Sequence, residues 1–61
     1  MNGKEVIRRL EQAGFRVARV HGSHHILVKP GHPRSVPVHG AKDLGSSLIK
    51  AIERQSGVKL T

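Results

Sequence analysis

Apolar residues recur along this chain in spacings that change twice, and each spacing predicts a different element. Val6, Ile7 and Leu10 fall at i, i+1 and i+4, with Arg8, Arg9, Glu11 and Gln12 on the other positions. That spacing places one apolar stripe on a helix over Gly3 to Ala13. Asn2 stands at the N-cap position, Glu5 follows where a capping box would place it, and Gly14 occupies the C′ position. Phe15 to Val20 and His25 to Lys29 are short runs of strand-like composition joined across His21-Gly22-Ser23, so they predict two antiparallel strands. Pro30-Gly31-His32-Pro33 is turn chemistry, because proline presets φ and glycine accepts positive φ. Ser35 to Val38 predicts a third strand. Pro37 has no N–H to give a ladder, so this strand belongs at an edge or turns that nitrogen outward. Leu44, Leu48, Ile49 and Ile52 return to helical spacing and predict a helix from Leu44 to Gln55. Asp43 or Ser46 would cap its start, with Gly57 after its end and Val58 closing over the last turn.

The predicted order is α-β-β-β-α. Two amphipathic helices bury both stripes by covering one face of a three-stranded antiparallel sheet, which leaves the other face open. This is an α+β fold with the order of the double-stranded-RNA-binding fold. A chain of 61 residues makes one domain, spanning 1–61, with a small core. No cysteine is present, which excludes disulfide staples, thiolate metal sites and a cysteine nucleophile. The polar start, Met1-Asn2-Gly3-Lys4-Glu5, fits neither a signal peptide nor a transmembrane helix, so a cytoplasmic protein without a membrane partner is expected.

Charge narrows the class further. Eleven Lys and Arg against four Asp and Glu give a net charge of +7. The basic residues are spread from Lys4 to Lys59, so they decorate a folded surface and favour nucleic acid, an acidic protein, or both. The most concentrated chemistry is Gly22-Ser23-His24-His25, a glycine turn that delivers adjacent imidazoles to the start of a strand. Strands favour β-branched and aromatic residues, and histidine is the side chain whose charge changes near neutrality without help. Imidazoles at a fixed point on a basic surface suggest acid–base chemistry on a polyanion.

The chain also resembles a known family, the HicA toxins, small mRNA interferases of type II toxin–antitoxin systems. The likeness runs through Ala13-Gly14-Phe15, the turn Arg19-Val20-His21-Gly22-Ser23-His24-His25, Val36-Pro37-Val38-His39-Gly40, Lys42-Asp43-Leu44 and the closing Gln55-Ser56-Gly57-Val58. One departure precedes the last helix, where a Pro-Gly-Thr-Leu type sequence is replaced by Gly45-Ser46-Ser47-Leu48. The resemblance implies a double-stranded-RNA-binding-like fold, cleavage of mRNA, and neutralisation by a HicB-type antitoxin. It also implies that the histidine directly after Gly-Ser, His24, is catalytic.

The chemistry is consistent with that assignment. RNA carries its own nucleophile, the ribose 2′-hydroxyl. A positioned imidazole removes its proton, and lysine or arginine offsets charge on the phosphoryl oxygens. No metal or other cofactor is needed. Five histidines are present, but strand alternation separates His24 from His25, and cysteine and nearby carboxylates are lacking, so a zinc site is not expected. His24 has the acid–base role; His25, His39 and Lys42 compete for the complementary one. Gly22 and Ser23 form the turn and offer N–H and hydroxyl groups to a phosphate. Arg16, Arg19, Lys29 and Lys42 are the candidate RNA contacts. The only aromatic of Phe, Tyr or Trp type is Phe15, which belongs to the core, so binding rests on charge and shape. The rival from another class is a non-catalytic basic RNA-binding module of the same fold, which would not need an imidazole at position 24.

Overall fold

The computed structural model describes residues 1–40 and 42–60. Its elements are α1 (Gly3–Gln12), β1 (Arg16–His21), β2 (His24–Val28), β3 (Val36–His39) and α2 (Ser46–Ser56). The strands form one antiparallel sheet in the order β1-β2-β3. The expected α-β-β-β-α order and antiparallel sheet are present.

Local chemistry explains α1. The Asn2 side chain accepts a hydrogen bond from the Glu5 backbone N–H at 2.9 Å, satisfying one of the helix's free donors. The Glu5 carboxylate turns to Arg8, at 3.3 Å, instead of completing a capping box. Gly14 has φ +105°, the backbone expected just past the helix end. Val6 and Leu10 are fully buried. They join Phe15, Leu27, Val36, Val38, Leu44, Ile49, Ile52 and Leu60 in one core on the helix side of the sheet.

All three strands are displaced from their predicted positions by one residue. β1 ends at His21 and β2 begins at His24, so the connection is the two residues Gly22 and Ser23, not three. Gly22 alone carries positive φ, +60°, at the first central position, which is the type II′ pattern that matches the twist of the flanking strands. A second irregularity lies between Val17 and Arg19, where the register shifts and Ala18 is left without a partner.

The second helix begins at Ser46, not Leu44, and its N-cap is Gly45, which supplies no side-chain bond. Neither Asp43 nor Ser46 caps it. The segment 42–44 is drawn toward the N-terminus instead. Gly3 N–H donates to the Lys42 carbonyl and Leu44 N–H to the Met1 carbonyl, both at 2.8 Å. The Met1 amine lies 3.4 Å from the Asp43 carboxylate. Leu44 reaches the core from this extended segment. The inward stripe of α2 is Ile49, Ile52 and Ser56, and Leu48, expected on it, is 47% exposed. Gly57, φ +76°, ends the helix, and Val58 packs against the core as expected. No helix among the described residues is long and apolar enough to cross a membrane.

Candidate functional site

The two-residue hairpin determines what His24 faces. With Gly22 and Ser23 as the only loop residues, His21 and His24 stand directly opposite each other. On the other side His24 pairs with His39 of β3. Directly opposed residues of an antiparallel pair share a face, so His21, His24 and His39 form one row across the three strands. Leu27, Val36 and Val38 mark the helix side; His24 and His39 alternate with them and lie on the open side.

Within this row the rings differ. His24 and His21 are exposed. His39 is half-buried, its ring in edge-to-face contact with that of His24, with centroids 4.9 Å apart. The Nδ1 of His39 is buried and has no hydrogen-bond partner. Buried polar atoms are rarely left so, and such an atom calls for an explanation.

His25 occupies a different environment. It points to the helix side, opposite Val38, and its Nδ1–H donates to the Ser23 carbonyl at 3.3 Å. Its ring lies against Gly40, where an added Cβ would come within 2.5 Å of the ring carbon Cε1. The same Ser23 carbonyl accepts from Gly40 N–H at 2.7 Å. His25 therefore fastens the end of β3 to the hairpin, on the face away from His24.

The bulge at Ala18 directs the basic residues of β1. It puts Arg16 opposite Val28 and Arg19 opposite Ile26. Val28 and Ile26 alternate with Leu27, so both arginines share the open face with His24. Unbroken alternation would have sent Arg16 and Arg19 to opposite faces. No strand residue is acidic.

Lys29 and Lys42 do not join this group. The Lys29 amine lies 5.7 Å from the centroid of the Phe15 ring, and its methylenes pass over Gly14. Lys42 lines a shallow depression with Asn2, Lys4, Gly40 and Asp43 at the start of α1. Of the expected site residues, the structure puts His24, His39, Arg16 and Arg19 on one face, with His24 and His39 next to the Gly22-Ser23 turn, Arg19 further along the hairpin and Arg16 at its far end. It adds His21, whose place in the row depends on the length of that turn. No group of three or more His, Cys, Asp or Glu able to hold a metal ion occurs among the described residues.

The arrangement has relatives. The family model for the HicA toxin of bacterial toxin–antitoxin systems matches residues 3–58. A solved structure of the HicA3 and HicB3 toxin–antitoxin complex contains a chain that is 32% identical. The alignment covers 100% of both chains with a TM-score of 0.84. No curated protein sequence matches.

Proposed function

The chain belongs to the HicA toxin family, and from that premise we propose that it is a cytoplasmic endoribonuclease that cleaves mRNA and is neutralised by a HicB-type antitoxin. One observation carries the catalytic part of this reading. His24 is exposed on the open sheet face, backed by the ring of His39, with Arg16 and Arg19 on the same face.

Each group has a role in the reaction. RNA laid across the open face presents a 2′-hydroxyl to His24, whose imidazole takes the proton as the oxygen attacks the adjacent phosphorus. Arg19, opposite Ile26 and two residues along β2 from His24, offsets the charge that grows on the phosphoryl oxygens, and Arg16, opposite Val28 at the far end of β2, holds a phosphate further along the RNA. Gly22 and Ser23 border the site and limit bulk at the approach of the strand. The attacking and leaving oxygens lie on opposite sides of phosphorus, so the leaving oxygen needs a second proton carrier away from the base. His39 touches the His24 ring and leaves no room for a phosphate between them, so it orients His24. His25 is on the wrong face. His21, exposed on the other flank of His24, is the imidazole free to protonate the leaving 5′-oxygen. The chemistry requires no metal.

The test is cleavage of RNA by purified protein. His24→Ala is expected to lower the rate about 10²–10⁴-fold, the usual contribution of a positioned acid–base group, and to abolish toxicity while the protein still folds and binds RNA. Wild-type protein that binds RNA without cutting it would instead identify a non-catalytic binding module.

A further inference from the structure

A second cluster of unpaired charge lies at the other end of the sheet. His32, Pro33 and Arg34 of the β2–β3 connection, with Ala51, Arg54 and Gln55 of α2, line an open cleft of about 440 Å³. β2 alone separates this end from His24 by about 13 Å, at 3.3 Å per residue.

The cleft is held in shape. His32 Nε2–H donates to the Gln55 carbonyl at 2.7 Å, tying the connection to the last turn of α2. The same ring meets Phe15 edge-on, with centroids 5.2 Å apart, which anchors the connection to the core. Neither Arg34 nor Arg54 forms an ion pair among the described residues. Leu48 is 47% exposed and precedes Ala51 by three positions and Gln55 by seven. That spacing puts it on the same side of α2, so the helix wall of the cleft continues into an exposed apolar side chain. The surface joins Leu48, Ala51 and Pro33 to two unpaired guanidinium groups.

RNA and protein would use such a surface differently. RNA would gain from the arginines but little from Leu48 and Pro33, because bases stack on flat faces and Phe15 is buried. A protein segment uses both parts, its carboxylates meeting the guanidinium forks and an apolar side chain covering Leu48. Arginine is also among the residues most enriched at interface hot spots.

We propose that this cleft docks an acidic, partly apolar segment of the HicB-type antitoxin, as a second contact in addition to the one that covers His24. The inference rests on the reading of this chain as a toxin neutralised by such a partner. RNA competes with the antitoxin for the open sheet face but not for the cleft. A partner attached at both places keeps a high effective concentration over His24 even when RNA displaces it there.

The experiment measures binding of the toxin's own HicB-type antitoxin to His24→Ala toxin, with and without Arg34→Ala/Arg54→Ala. The double substitution is expected to weaken antitoxin binding roughly tenfold or more. In toxin that retains His24, it should leave RNA cleavage and the melting temperature unchanged. Arg34→Gln/Arg54→Gln, closer in size, should give the same loss and so attribute it to charge. Unchanged antitoxin affinity in both variants would overturn the cleft as a docking site. Weakened RNA binding with antitoxin affinity preserved would overturn it too, and assign the arginines to RNA. Failure of His24→Ala toxin itself to bind the antitoxin would overturn the toxin reading, a result distinct from a loss confined to the variants.

Discussion

A methyl group added at Gly40 would lie 2.5 Å from Cε1 of His25, closer than packed carbon atoms tolerate. Gly40→Ala is therefore expected to destabilise the fold by about 1–3 kcal/mol, the usual cost of overpacking. Much of that loss should return in Gly40→Ala/His25→Ala, where the ring is gone. Urea unfolding of the wild type, Gly40→Ala, His25→Ala and the double variant measures this, and a Gly40→Ala protein as stable as wild type would show that the ring is not packed there. The same packing separates the two adjacent histidines. His25→Ala removes a tie between hairpin and β3 but no group on the open face, so the folded fraction should cleave RNA at the wild-type rate per molecule. His24→Ala has the opposite profile, with the fold kept and cleavage lost. Equal losses of specific activity in the two variants would contradict this division.

At the scale of elements, what could be read from the sequence was what depends on local spacing. The α1 stripe, the Asn2 cap, Gly14 and the strand-like runs are each encoded within a few residues, and the structure contains them. The displaced features depend on partners far along the chain. The start of α2 moved from Leu44 to Ser46 because residues 42–44 pair with the N-terminus, about forty positions away. The stripe and the reach of Leu44 into the core do not reveal that pairing. The site was legible to the same degree. His24 stood out by its Gly-Ser turn, but its contact with His39 depends on the register of β2 against β3, and the common face of Arg16 and Arg19 depends on the bulge at Ala18. The helix start also supplies a stability test. Gly45 has ordinary backbone angles, φ −70° and ψ 165°, a Cβ there meets nothing within 4 Å, and the first turn of α2 carries no acidic residue. Gly45→Asp is expected to stabilise the fold by about 0.5–1 kcal/mol, by capping the helix and restricting the unfolded chain. A raised urea midpoint at unchanged slope checks this.

For the whole molecule, a charge of +7 on a surface without an exposed aromatic platform makes RNA affinity mainly a matter of counterion release. If about four phosphates of single-stranded RNA are neutralised, log K should fall against log salt with a slope of about −3, measured on His24→Ala protein so that the RNA stays intact. A flat dependence would refute the electrostatic account. An antitoxin bound over the open face should weaken RNA binding and cleavage together, and raise the melting temperature of a protein whose own core is small. The central claim is that His24 drives attack by the RNA's own 2′-hydroxyl, without a metal. Its most direct test is end-group analysis of RNA cut by the purified wild-type protein in excess EDTA, with His24→Ala as control. The account predicts cleavage at an undiminished rate, fragments ending in 2′,3′-cyclic phosphate and beginning with 5′-hydroxyl, and formation of these products about 10²–10⁴-fold more slowly by the variant. A 5′-phosphate on the downstream fragment, cleavage that stops in chelator, or the same products from His24→Ala at the wild-type rate would contradict it.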